Sequence, residues 1–515
     1  MNNMKKFILS IGIAAVATVA LADSNVATVA LRPDANAPVI PKEIYGQFAE
    51  HLGSCIYGGL WVGPDSKIPN QNGYRTDVLN ALKELKVPVL RWPGGCFADE
   101  YHWRDGIGDP ALRPRMVNNN WGGTVEDNSF GTNEFFNLCE LIGAEPYLSG
   151  NVGSGTVEEL AKWVEYITAE SGPMAELRRQ NGREKPWRLK YLGVGNESWG
   201  CGGNFTPEYY ADVYRRYQTY CREFNGNKLY KIASGASDYD YNWTDVMMKK
   251  AGRFMNGISL HYYTVTGWSG KKGSALDFTD EDYYWTLGKC LEIAPVIRRH
   301  CDIMDKYDAR KRVGLIVDEW GTWWDEEPGT IRGHLYQQNT LRDAMVAALS
   351  LNVFHTFADR VKMANIAQIA NVLQAMVLTK DDKMVLTPTY YVFKMYRPHQ
   401  DAKFIPVQVS TPIMDVRGDR KVPVVDAAAS VKDGKYCVSL VNTDLEKGAT
   451  VTVSLGGAAG KNLKGEILTG AKANSYNDFS MPEQVNLKPF AGAKVKNGVM
   501  TVEMPSKSIV TLTFE

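Results

Sequence analysis

The sequence predicts an α/β protein: a (β/α)8 TIM barrel followed by a C-terminal antiparallel β-sandwich. Between residues 41 and 386, short apolar strands alternate with amphipathic helices, a rhythm that predicts a parallel sheet with helices outside it. Eight such strands predict closure into a barrel. Two of them, the fourth and the seventh, end in a glutamate, Glu197 in Gly195-Asn196-Glu197 and Glu319 in Asp318-Glu319-Trp320.

Taken in order, residues 1–22 read as a signal peptide cleaved after Ala22. Lys5 and Lys6 precede the apolar run 7–21, and Ala20-Leu21-Ala22 has the small-x-small form of a cleavage site. Export to the periplasm or outside the cell is the expectation. The run is too short to span a bilayer and no other stretch is long enough, so no membrane span is expected. Residues 23–40 carry a short strand, 26–31, expected to join the C-terminal sandwich.

The barrel strands are read at 44–48, 89–92, 146–149, 189–194, 231–234, 257–263, 313–317 and 363–366. Thr76 is taken as the cap of the first helix, with Val78, Leu79, Leu82 and Leu85 as its apolar side. Thr156 and Glu159 have capping-box spacing, and Thr206-Pro207 opens the helix after strand four. Residues 387–515 form the sandwich domain: short alternating strands, with hairpin turns at Asp433-Gly434 and Asn497-Gly498.

Lys plus Arg equals Asp plus Glu at 58 each, so there is no basic field to hold nucleic acid or an anionic membrane. A neutral partner fits better. The 13 Trp and 26 Tyr suit flat surfaces that stack on sugar rings, although a large barrel also buries many aromatics. Eight cysteines are scattered without a Cys-x-x-Cys pair or a cysteine-histidine cluster, and there is no phosphate-binding loop. Neither a metal nor a cofactor is expected. Disulfide pairing cannot be read from the spacing.

Side chains at the C-terminal ends of barrel strands converge on one face, so Glu197 and Glu319 are expected to share a site despite their separation in sequence. A pair of carboxyl groups is what cleavage of a glycosidic bond requires. The alternative, that both are ion-pair partners of barrel arginines, is outweighed by their joint placement at strand ends.

Several motifs in one order resemble the α-L-arabinofuranosidases of glycoside hydrolase family 51. They are Phe48-Ala49-Glu50-His51-Leu52-Gly53, Leu90-Arg91-Trp92-Pro93-Gly94-Gly95-Cys96, Gly195-Asn196-Glu197, Ser259-Leu260-His261-Tyr262-Tyr263, Asp318-Glu319-Trp320 and Ala358-Asp359-Arg360-Val361-Lys362. The resemblance implies a retaining exo-enzyme that removes terminal α-L-arabinofuranosyl groups from arabinoxylan, arabinan or arabino-oligosaccharides. It implies Glu197 as acid/base and Glu319 as nucleophile, with sugar contacts from Glu50, Cys96, Asn196, Tyr263 and Gln368. Cys96 stands where many members carry asparagine. Glu50 has a second reading, as a buried ion-pair partner of Arg91. His261 and Trp103 are read as site-lining or as packed structural residues. Trp199, Trp320, Trp323 and Trp324 are read as walls of the mouth or as loop packing. A homo-oligomer, a hexamer in many members, is implied as well. Another two-glutamate barrel glycosidase, a β-xylosidase or an endoglucanase, fits the same layout. So does a non-catalytic carbohydrate-binding protein, although the presence of both glutamates argues against it.

Overall fold

Eight parallel strands close into a barrel in which each strand is hydrogen-bonded to the next and the eighth to the first. The computed structural model describes residues 24–515, so the expected signal peptide lies outside the described residues. The barrel strands are Gly46–Phe48, Val89–Trp92, Glu145–Gly150, Tyr191–Val194, Tyr230–Ser237, Gly257–Thr264, Gly314–Thr322 and Val361–Ala367. Each coincides with an expected strand, because runs buried on both faces read as continuous apolar sequence. Val89, Tyr147, Tyr191, Ile232, Ile316 and Met363 pack together inside the barrel, making it a filled core rather than a pore.

Helices form the outer layer, their apolar stripes against the strands. Thr76–Leu85 buries Val78, Leu79, Leu82 and Leu85 as its spacing predicts. Its cap differs from the expectation: Thr76 is already helical, and the cap position belongs to Arg75, whose side chain makes no capping bond. Arg75 instead reaches the Asp77 carboxylate. At Val157–Thr168 the Thr156 hydroxyl accepts from the Glu159 amide, but Glu159 turns its carboxylate to His102, so only half of the capping box forms. Thr206 caps Pro207–Tyr220, with Pro207 in the first turn. The helix Pro388–Met395 packs beside Leu341–Thr356 and Thr76–Leu85, so the helical layer runs past residue 386 and closes the barrel wall.

Beyond it, two sheets of five and six strands face each other across an aliphatic core that includes Val29, Leu440, Val451, Val502 and Leu512. The strand Asn25–Leu31 lies inside the first sheet, antiparallel to Val407–Ser410 and parallel to Ala449–Ser454. That parallel pair is the exception in an otherwise antiparallel sandwich. Asp433, Gly434, Asn497 and Gly498 all have positive φ, the backbone of a two-residue hairpin turn. No described helix is long and apolar enough to cross a membrane.

Candidate active site

At the C-terminal mouth of the barrel a cavity of about 520 Å³ is lined by Glu50, Cys96, Glu197, His261, Glu319 and Gln368, with aromatic walls around them. Strand four ends at Val194, and the chain then makes a tight turn in which Gly195 has φ +91° and Glu197 itself φ +38°. A non-glycine residue rarely adopts that left-handed backbone. It is held by the amides of Gly200 and Gly202, which both donate to the Glu197 carbonyl. Strand seven carries Glu319 before its end, at an irregularity in its pairing with both neighbours, and Glu319 lies opposite His261 on strand six.

The two carboxyl groups meet across His261. Its Nδ1 lies 2.9 Å from Glu197 Oε1 and 3.6 Å from Glu319 Oε2. One oxygen of each glutamate and a His261 nitrogen all lie within 4.8 Å of one another. Three such groups offer ligand atoms for a cation, yet their other partners are those of a charge-separated carboxylate pair. Arg91 Nη1 donates to Glu319 Oε1 at 2.8 Å and the Tyr263 hydroxyl donates to Oε2 at 2.8 Å. Arg91 is itself fully buried, and its Nη2 donates to Asn196 Oδ1.

These surroundings separate the two glutamates. Burial alone would push the Glu319 carboxyl up, but His261, the Arg91 guanidinium and the hydrogen bonds from Arg91 and Tyr263 outweigh it and hold the group below its ordinary range. Burial works against protonation of His261, while Glu319 and Glu197 favour it and raise the imidazole. The Glu197 side chain is 20 % exposed against 9 % for Glu319, so it is the one that faces solvent.

Glu50 sits on the opposite wall. Its Oε1 accepts from the amides of Gly95 and Phe97 and from Trp121 Nε1, and its Oε2 accepts from Gln368 Nε2 at 3.0 Å. Burial and the nearby Glu319 charge push Glu50 up to about 7 despite these donors. The second reading of Glu50, as an ion-pair partner of Arg91, is not met, because Arg91 is committed to Glu319 and Asn196. Gln368 Oε1 is buried without a protein partner, leaving an acceptor for a ligand hydroxyl. Asn196 lies just behind the wall, with Nδ2 3.9 Å from Cys201 Sγ. Cys96 is disulfide-bonded to Cys201, so its sulfur has no proton to offer a ligand.

Of the aromatic residues, Trp199 and Trp323 line the cavity. Trp320 packs on Phe354 and Phe393, Trp324 donates to Asp343, and Trp103 stacks on Trp163; all three are structural. Trp121 and Trp268 line the cavity too and were missed, as was Cys201. Trp121 and Trp268 lie in loops that carry no periodicity, and a cysteine pairing leaves no local signal at all.

A family model described as the alpha-L-arabinofuranosidase 1 domain matches residues 81–278, and one described as the alpha-L-arabinofuranosidase C-terminal domain matches residues 318–508. An intracellular exo-alpha-L-arabinofuranosidase of Bacteroides ovatus is 66 % identical over 501 residues, 97 % of this chain and 98 % of that relative. The crystal structure of the GH51 arabinofuranosidase from Xanthomonas axonopodis pv. citri superposes with a TM-score of 0.93 at 50 % identity, covering 95 % of this chain and all of that one. An arabinose complex of the Thermotoga maritima alpha-L-arabinofuranosidase superposes at 0.83 with 30 % identity, over 96 % of this chain and all of that one. The Bacteroides relative overturns the expected export. A basic then apolar N-terminus is a cue of composition, and a relative this similar over nearly the whole chain is named intracellular.

Proposed function

The chain belongs to the α-L-arabinofuranosidases of glycoside hydrolase family 51, and from that premise we propose that its mouth cleaves terminal α-L-arabinofuranosides with retention of configuration. The observation that carries this reading is the convergence of Glu197 and Glu319 to within 4.8 Å across His261. A separation of about 5 Å suits a retaining enzyme, since an inverting one leaves room for a water between its carboxyl groups.

In this reading Glu319, kept ionised by Arg91, His261 and Tyr263, attacks the anomeric carbon. Glu197 gives its proton to the departing oxygen. Water then enters, Glu197 takes a proton from it, and the arabinosyl–Glu319 ester is hydrolysed. Arg91 holds Glu319 in place before the sugar arrives, so little rearrangement accompanies charge movement. Glu50, Gln368 and Tyr263 present hydroxyl-binding atoms at the cavity wall, while Asn196 acts from behind through Arg91, and Cys96 contributes a sulfur surface. The natural substrate is a side chain or end of an arabinose-bearing polysaccharide or oligosaccharide. A homo-oligomer, a hexamer by family resemblance, belongs to the same reading, as does the intracellular location named for the Bacteroides relative.

Release of 4-nitrophenol from its α-L-arabinofuranoside tests the function, with the anomer of the first-formed sugar followed by NMR. The α-anomer is expected first. Appearance of the β-anomer would refute retention, and cleavage of a β-xyloside or a glucan in its place would refute the substrate. Light scattering of the purified protein tests the hexamer.

A further inference from the structure

The turn that carries Glu197 also carries Cys201, whose sulfur is bonded to Cys96 in the turn after barrel strand two, 105 residues earlier. The cross-link ties the turn after strand four to the Gly95-Cys96 corner that borders the cavity. Both sulfurs face the same carboxyl group. Cys201 Sγ lies 3.6 Å and Cys96 Sγ 3.9 Å from Glu197 Oε2. The other oxygen, Oε1, is held by His261 at 2.9 Å.

Glu197 is therefore gripped on two sides by different means. His261 makes a polar contact to one oxygen. The disulfide lies alongside the other without a proton to donate, so it walls one side of the carboxyl group while leaving Oε2 open toward a leaving group. The backbone needs such help, because Glu197 sits at φ +38°, a conformation that persists only when its surroundings hold it.

We propose that the Cys96–Cys201 disulfide positions Glu197 for proton donation, and that its reduction weakens acid catalysis selectively. This rests on the reading of Glu197 as the acid. Reduction proceeds by exchange. A dithiol thiolate attacks the exposed Cys201 sulfur and the Cys96–Cys201 bond breaks. The second thiol of the reductant then closes its own disulfide, leaving Cys96 and Cys201 with two electrons and two protons as thiols. Separate thiols pack less closely than bonded sulfurs, so the wall behind Oε2 opens, and each gains a proton that competes for that oxygen. Access favours this pair: Cys96 lines the cavity and Cys201 is exposed, whereas the free cysteines are buried or, for Cys301, half-buried.

The test compares kcat/KM across aryl α-L-arabinofuranosides, from a 2,4-dinitrophenyl leaving group, which departs with little protonation, to 4-methoxyphenyl, which needs it. The enzyme is assayed oxidised, after reduction with dithiothreitol, and as Cys201→Ser. The 2,4-dinitrophenyl rate is expected to hold, while the 4-methoxyphenyl rate falls on the order of tenfold or more, part of the range that general acid catalysis contributes. Reoxidation should restore the parent but not the variant. Because the readout is a ratio within one preparation, partial unfolding scales both substrates alike and cancels. A uniform fall, or none, overturns the positioning role. A parent that cleaves none of these arabinofuranosides overturns the functional reading, and this inference with it.

Discussion

The barrel mouth and the sandwich core are buried to the same depth and hold opposite contents. Within the sandwich, Val29, Leu440, Val451 and Leu512 belong to one cluster of buried apolar side chains. At the mouth, Arg91, Glu50, Asp318 and Glu319 lie as far from water, each tied to another polar group. Burying a charge costs free energy unless it is paired, so the mouth is a region that the rest of the fold must hold in place. Apolar burial stabilises the sandwich without any dependence on protonation. What the contrast teaches is a division of labour: one region supplies stability and the other draws on it.

The largest test of that division is Glu319→Gln, which keeps the size of the side chain and removes the nucleophile. A loss of roughly 10⁴- to 10⁶-fold in kcat is expected, the range seen when one member of a cooperating catalytic set is removed. Circular dichroism should show the protein still folded. A variant that unfolds would mean that the mouth, too, carries stability.

Acid and alkali should act with opposite sign on two buried groups, one at the mouth and one where the sandwich meets the barrel helices. Burial lowers His399, which bridges Ser430 and Ser439 on the face of the six-stranded sheet that packs toward the barrel helices, from 6.5 to about 3. A depressed group keeps its stabilisation above its unfolded value, so about 5 kcal/mol is lost as pH falls from 6.5 toward 3. Glu50 is raised from 4.5 to about 7. Its contribution is complete below 4.5 and about 3 kcal/mol of it is lost as pH rises to 7. Urea midpoints across pH, for the parent beside His399→Gln and Glu50→Gln, should each lose one of the two slopes.

Leu440→Ala opens a void in the sandwich and should cost about 3 kcal/mol of unfolding free energy, with kcat/KM of the folded enzyme unchanged. A fall in kcat/KM would show that the sandwich shapes the site.

The smallest effects come from two glycines. A Cβ on Gly95 would stand 2.8 Å from Glu319 Oε1, so Gly95→Ala should lower kcat/KM on the order of a hundredfold, as small displacements in a site do. Gly498 has φ +74° and open space around it, so Gly498→Ala should cost only about 1 kcal/mol of stability and no activity.

The sandwich and the barrel strands were legible because burial writes itself into sequence as alternation or as apolar runs. Glu197 and Glu319 were legible because a carboxylate at the end of an apolar strand has no structural reason to be there. Other features depend on distances that only the folded chain sets. Arg91 chose Glu319 over Glu50 because strands two and seven aim their side chains at the same point. Thr76 looked like a cap, yet the helix begins one residue earlier, where Arg75 reaches Asp77. Trp121 and Trp268 reach the cavity from loops, and no periodic pattern marks a loop residue for one wall rather than another. The basic and apolar N-terminus misled because composition alone does not report a compartment.

The strand Asn25–Leu31 has a consequence for how the chain is made. It sits between two strands from the far end of the sequence, and Asn25 donates to Asp444 across 419 residues. During synthesis at about 5–20 residues per second, its partners emerge roughly twenty seconds to a minute and a half later. The barrel has the time to close first, while this apolar strand waits with both edges bare. Unpaired edges are templates for association with other chains. Slowing translation of residues 400–455 is therefore expected to favour aggregation, read as a fall in the soluble fraction of the expressed chain.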